Sequence, residues 1–335
     1  MNAGVIAIPL REMSMGTSAP MVGPIITSWP SLVATLASQS PSSVPSVTPL
    51  LTPSPTETPP PPITWEQGKI VFVLRQADGK HALFMMDLEL GDEPRLLLQP
   101  GDDDVFYGPW LSHDSSQVAF YVLYGPAKIL EIVNSDSLYS LSRCSSPTFS
   151  PDDSQIICHI RGESYFPIID VQTGTGINNL EHGMSGAVLP AWSPSGEEVA
   201  FAVFEDQKTS IWRMDISGGT PIPLATEAFE NYAPSWSPDG KWIAYQSTLT
   251  SEMSEIWIMD REGGQNQQVT YTLGGWSRGP AWSPDGKWIA FVSSQAGSVG
   301  ADYGEVFVVS LVTGEIQQVT HTGGMVSDWR VTWGP

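Results

Sequence analysis

Cysteine is nearly missing from this chain: Cys144 and Cys158 are the only two in 335 residues. A disulfide scaffold or a four-cysteine zinc site needs more than that, so buried apolar surface must hold the fold together. Basic residues are also scarce, with 15 Lys and Arg against 36 Asp and Glu and a net charge of −21. A surface of that sign repels phosphates, which argues against nucleic acid and anionic lipid headgroups as partners. No long unbroken hydrophobic run is present. The most apolar stretch, Met21 to Ala37, is interrupted by Pro24 and Pro30 and is a poor membrane span.

The first 62 residues lack charge as well. They hold only Arg11, Glu12 and Glu57, one of the 13 tryptophans, and 13 of the 29 prolines. From Ser38 to Pro62 the chain is almost entirely Ser, Thr and Pro with scattered aliphatics, and so many prolines block both helix and ladder hydrogen bonds. A semi-extended, polyproline-type linker is expected over 38–62. Residues 1–37 read as a weak signal-like or anchoring segment or as plain disorder, since Met21 to Ala37 ends in small residues but has only Arg11 as its basic flank. A proline-threonine stalk ahead of a folded domain favours an extracytoplasmic setting with possible N-terminal anchoring.

What is abundant lies after residue 62, and it repeats. PAWSPDGKWIAF (280–291) recurs as PSWSPDGKWIAY (234–245) and PAWSPSGEEVAF (190–201), with looser copies PTFSPDDSQIIC (147–158) and PWLSHDSSQVAF (109–120). The anchors Leu111, Phe149, Trp192, Trp236, Trp282 and Trp333 are spaced by 38, 43, 44, 46 and 51 residues. A four-stranded propeller blade needs about 40 to 45 residues, so the period fits. Within a copy, Ser237, Pro238, Asp239 and Gly240 suit a type I turn with Pro second and Gly left-handed. A third strand ends at Asp87, Asn134, Asp170, Asp215, Asp260 and Ser310, and a short fourth strand follows.

The two ends complete one another. Ile63 to Leu74 supplies a second strand without a first, while Val331 to Pro335 is a first strand without a second. Pairing them removes the open edges of a linear array. The expectation is an all-β, six-bladed propeller over 63–335, closed by its own C-terminal strand and preceded by a disordered N-terminal segment.

These motifs resemble the WD40-like repeats called PD40, and six of them in a row are similar to a TolB-type propeller domain. Ser115 and Asp153 depart from the pattern by replacing the turn glycine. The α/β domain that precedes that propeller elsewhere is not matched by residues 1–62. The resemblance implies a binding module that meets a partner protein across one face, in a periplasmic or other extracytoplasmic compartment. The expectation for this chain is a monomer without a cofactor that binds a protein or a glycan at that face. Related blades also flank peptidases of the prolyl oligopeptidase type and form metal-dependent oligogalacturonate lyases, so a lyase and a purely structural assembly role stand as alternatives.

No catalytic residue is assigned. GWSRG (275–279) matches a nucleophile elbow in letters, but an elbow needs a strand before and a helix after, and Pro280 begins a repeat strand. Asp102, Asp103 and Asp104 lack the alternate-residue spacing of a calcium loop and read as a solvated turn. His81, His182 and His321 fall in loops of different blades; they are the metal candidates of the lyase reading, and ordinary polar surface otherwise. His113 and His159 read as structural. Mirror pairing about Asp152 and Asp153 sets Cys158 opposite Pro147, so a bridge to Cys144 requires distortion, and two buried thiols are the simpler reading.

The partner-binding candidates are Tyr107, Glu230, Asn231, Tyr232, Trp276, Arg278, Asp328, Trp329 and Arg330. All are expected in the loops that join one blade's last strand to the next blade's first. Aromatic residues and Arg are what protein and sugar interfaces concentrate, although some of these tryptophans could instead fold back onto the blades. Trp192, Trp236, Trp282 and Trp333 are assigned structural roles within the repeats.

Overall fold

The computed structural model describes residues 67–335 except 92, 102–103, 124, 133–137, 142–143, 273–274, 295–302 and 324. The expectations for 1–37 and 38–62, for Asn134 and for Asp102 and Asp103 lie outside the described residues.

Twenty-four strands follow in order among the described residues, with no helix between them. They are β1 (Lys69–Arg75), β2 (His81–Asp87), β3 (Arg95–Leu98), β4 (Phe106–Leu111), β5 (Gln117–Val122), β6 (Ala127–Glu131), β7 (Leu138–Ser140) and β8 (Ser145–Phe149). Next come β9 (Gln155–His159), β10 (Tyr165–Asp170), β11 (Gly176–Glu181), β12 (Ala187–Trp192), β13 (Glu198–Glu205), β14 (Lys208–Asp215), β15 (Ile222–Ala225) and β16 (Asn231–Trp236). The last are β17 (Trp242–Ser247), β18 (Glu255–Asp260), β19 (Gln267–Gln268), β20 (Ser277–Trp282), β21 (Trp288–Ser293), β22 (Glu305–Ser310), β23 (Ile316–Gln318) and β24 (Val326–Gly334).

Five blades are consecutive four-stranded meanders: β4 to β7, β8 to β11, β12 to β15, β16 to β19 and β20 to β23. The remaining blade is ordered β24-β1-β2-β3. The chain is therefore a six-bladed propeller whose first blade is completed by its C-terminus, with Ile70 opposite Trp333 and Phe72 opposite Val331. Numbering this composite blade as the first, six apolar clusters each lie between consecutive blades. One joins Ile70 and Phe72 of blade 1 to Trp288, Val292 and Val308 of blade 6, which is the contact that closes the ring.

The repeated turn is built on hydrogen bonds. Ser237 Oγ donates to Asp239 Oδ1 at 2.7 Å and accepts from the Trp242 N–H at 2.9 Å, while Asp239 accepts from the Lys241 N–H. Ser283 and Asp285 repeat this in blade 6, as do Ser150 with Asp152 and Ser112 with Asp114. Ser115 (φ 57°) and Asp153 (φ 58°) adopt the left-handed conformation that Gly240 (φ 68°) takes at the same place.

A second irregularity recurs in the innermost strands. Gly108, Ser146, Leu189, Ala233 and Gly279 all have φ between 49° and 59° and all precede the repeat proline. Each sits where the pairing with the next strand shifts register. These are β-bulges, and a bulge re-aims the side chains beside it.

One bulge decides the cysteine question. Ser145 pairs with His159 although Thr148 pairs with Ile157, so the extra residue draws Cys144 toward Cys158. They form a disulfide with their Cα atoms 5.7 Å apart. Mirror pairing could not show this because it assumed an unbulged hairpin.

Candidate functional site

The bulges govern where the predicted partner-binding residues go. Tyr107, Asn231, Tyr232, Arg278, Asp328, Trp329 and Arg330 are strand residues rather than loop residues, and Glu230 and Trp276 directly precede their strands. The innermost strand of blade 1 starts at Val326, five residues earlier than its motif suggested, which takes Asp328, Trp329 and Arg330 into the ring. Four of the residues expected at the surface are buried: Asn231, Trp276, Asp328 and Arg330. Trp276 packs into the core between blades 6 and 1. Asn231 accepts from Ser247 Oγ at 2.7 Å, and its own N–H donates to Thr209 Oγ1 at 3.1 Å.

Others meet at the centre. The rings of Tyr232 and Trp329 are 5.5 Å apart, although blades 5 and 1 are not neighbours, so the contact spans the central channel. Arg330 lies beneath, its Cζ 5.1 Å from the Trp329 ring and 5.8 Å from that of Trp110 of blade 2. Trp110 in turn packs against apolar clusters on both sides of the ring. Tyr107 stacks on Tyr121 at 5.6 Å. Arg278 stands apart, stacked on Trp276 at 4.6 Å and donating from Nε to Ser254 Oγ at 3.0 Å.

The electrostatics of this plug are set by burial. Asp328 is held by backbone donors, its carboxylate accepting from the Gly108 N–H and, at 3.2 Å, from the Arg330 N–H. Desolvation outweighs those donors and the Arg330 charge, and raises its pKa to about 6. Desolvation also raises Tyr121 and Tyr232 and lowers Arg330. His159 of β9 is pushed down to about 4 by burial, and the Arg330 charge adds to that. Trp110, Tyr121 and His159 were not singled out as binding residues in the sequence. The repeat placed Trp110 inside a structural motif, and nothing local marks it as crossing the channel.

Six innermost strands meeting as a closed ring, with the repeat motif in five blades and its two halves at the ends that make the sixth, agree with what comparison with known families shows. The TolB beta propeller domain family, PD40, matches residues 165–332, half of the chain. The chain belongs to that family. TolB from Acinetobacter baumannii superposes with a TM-score of 0.65 at 19% identity, over 80% of this chain and 67% of that one. A candidate TolB from Agrobacterium tumefaciens gives 0.61 at 20% identity, over 80% of this chain and 98% of that one. Uncharacterized protein Atu1656 of Agrobacterium fabrum is 34% identical over 79 residues, which are 24% of this chain and 27% of that protein. The matched stretch thus spans about a quarter of that curated relative.

The remaining candidates take their places in this PD40 ring. Trp236 Nε1 donates to the Ala191 carbonyl of the preceding blade at 3.1 Å, and Trp282 Nε1 to that of Ser235 at 3.0 Å. Trp333 Nε1 donates to the Gln67 carbonyl at 2.8 Å, whereas Trp192 donates within its own turn to Gly196. On the motif side of Trp110, a cavity of about 300 Å³ is lined by Trp192, Trp236 and Trp282 among others. His81 begins β2 in blade 1, and His321 is exposed after β23 in blade 6. His182 of blade 3 is buried against Phe166, with ring centroids 4.2 Å apart, and desolvation lowers its pKa to about 4. Among the described residues no group of three or more His, Cys, Asp or Glu could hold a metal ion. Ser277 of GWSRG is buried in β20, its Oγ 2.6 Å from Thr272 Oγ1, and β20 leads to a hairpin rather than a helix.

Proposed function

We propose that this propeller is a non-enzymatic binding module of an extracytoplasmic compartment, docking a protein partner on the face that holds the Tyr232 and Trp329 end of the channel. The carrying observation is where the exposed aromatic side chains sit. Among the described residues Phe204, Phe229 and Tyr271 are the exposed aromatics, and with Leu123, Leu249 and Met253 they lie on the side where second strands turn to third strands and one blade passes to the next, whereas the other exposed apolar side chains are aliphatic and lie on outer fourth strands or the turns leading to them. Phe204 and Phe229 are 56% and 64% exposed, and with Tyr232 and Glu230 they line a cavity of about 300 Å³ beside the mouth. Exposed aromatics grouped this way mark interaction surfaces rather than scattered apolar residues. The Cys144–Cys158 disulfide supports an oxidising compartment.

A glycan is the other ligand an aromatic mouth could take. The lyase reading draws less support, because His81, His182 and His321 stand on blades 1, 3 and 6. The test is capture from an envelope fraction by the full chain and by a Phe204→Ser/Phe229→Ser variant, with a glycan array in parallel. A protein held by the parent and lost with the variant is the expected result. Equal capture by both, or binding on the glycan array alone, overturns it.

A further inference from the structure

Among the described residues of the ring's inner part, Arg330 is the charged side chain left without a bonded partner, while Thr148 Oγ1 and His159 Nδ1 are neutral atoms in the same state. Arg330 is only 5% exposed, yet its guanidinium has no hydrogen bond or ion pair among the described residues, and Nη1 is sealed without an acceptor. A buried, permanently charged group without a directly bonded partner is unfavourable, so native proteins pair such groups or reserve them for a ligand. The Asp328 charge favours the charged guanidinium but does not lie within ion-pair distance of it. It is held by the backbone N–H groups of Gly108 and Arg330 and forms no ion pair with the guanidinium.

We propose that Arg330 is the seat for a carboxylate carried into the channel mouth by an extended segment of the docked partner. This rests on the docking reading above. Trp329 and Trp110 lie near the guanidinium at 5.1 and 5.8 Å, and stacking of that kind leaves the donors at its edge for an acceptor. That planar fork matches a carboxylate. The hydroxyls of Tyr121 and Tyr232 have no hydrogen bond among the described residues and lie close enough to interact with the Arg330 charge. They supply further donors to the same oxygen atoms. A single cation beside Asp328 suits a monoanion better than a phosphate dianion. The net charge of −21 weakens the capture of free anions, so tight binding requires that the carboxylate arrive on a group that also gains from the apolar surface around Phe204 and Phe229. A side chain or chain terminus of a protein meets that requirement with a slender stem, whereas a uronic acid has to bring its whole ring past Tyr232 and Trp329.

The experiment titrates the full chain with N-acetylglycine, its amide, D-galacturonate and inorganic phosphate, read by tryptophan fluorescence and calorimetry. N-acetylglycine is expected to bind saturably in the millimolar range, at least tenfold more tightly than the other three. Arg330→Gln is expected to remove the response, and Tyr232→Phe to weaken it severalfold. Tyr232→Phe keeps the core and covers the case in which Arg330→Gln does not fold. Equal binding of the amide, tighter binding of galacturonate or phosphate, or absence of saturation with the parent overturns the seat. An Arg330-dependent N-acetylglycine response in a parent that captures no protein overturns the docking reading alone, and capture of a protein without that response overturns the seat alone.

Discussion

Five residues at one place in the repeat, Gly108, Ser146, Leu189, Ala233 and Gly279, share a left-handed backbone, yet only two are glycine. Conformation alone therefore does not demand glycine here, since Leu189 and Ala233 bear the same φ with a side chain. Space does. A Cβ on Gly279 would lie 2.0 Å from the Trp329 carbonyl oxygen and 2.9 Å from the Arg330 Cα, whereas on Gly108 the nearest atom is the ring edge of Tyr121 at 3.0 Å. Backbone cannot move aside as a ring can. Gly279→Ala is expected to cost on the order of 2 to 4 kcal/mol, and Gly108→Ala about 1 kcal/mol. Denaturant unfolding of both variants measures this, and equal losses would show that φ rather than the Trp329 carbonyl sets the requirement. Sequence reading began each repeat strand at the proline that follows these positions and did not single them out, because the left-handed Leu, Ala and Ser leave no compositional trace. It proposed Arg330 and Trp329 as interface residues for their chemistry and put them in a loop, whereas both lie in β24.

The hairpin of β8 and β9 shows what the bulge does for an element. Pro147 and the turn at Asp152 and Asp153 were legible, and mirror pairing from that turn places Cys158 too far along for Cys144. The bulge at Ser146 restores the approach, and the resulting bridge closes a short loop with a sequence separation of 14. Cross-linking a loop of about 15 residues restricts the unfolded chain by about 3 kcal/mol at 25 °C. Cys144→Ser/Cys158→Ser should lower stability by roughly 2 to 4 kcal/mol, and reductant should destabilise the parent while leaving the double variant unchanged. Scanning calorimetry with and without dithiothreitol reads both, and a parent insensitive to reductant would mean that the thiols are not bridged in solution. The turns themselves were legible because their chemistry is local. Ser237, Asp239 and Gly240 satisfy one another within six residues, so the motif can be read without the rest of the ring.

At the scale of the molecule, the ring depends on one strand that the chain supplies last. The half-repeats at the two ends announced this closure, because a lone first strand and a blade lacking one can satisfy each other's edges. What they did not announce was length: β24 runs nine residues and delivers Asp328, Trp329 and Arg330 to the channel as well as Trp333 to the core. Closing the ring and building the candidate site are thus tasks of the same segment. The pairs Lys69 with Gly334, Ile70 with Trp333, Val71 with Thr332 and Phe72 with Val331 all lie within residues 329–335 on the C-terminal side. Removing those residues strips β1 of its inner partner and uncovers Ile70, Phe72 and Trp288. Truncating a buried tryptophan to alanine costs about 3 to 5 kcal/mol, comparable with much of a domain's net stability. Trp333→Ala is accordingly expected to fold with a lowered melting temperature, and deletion of residues 329–335 to yield no soluble monomer. Size-exclusion chromatography with thermal unfolding tests both. A truncated chain that elutes as a monomer and melts with the parent would show that the ring holds without its C-terminal strand.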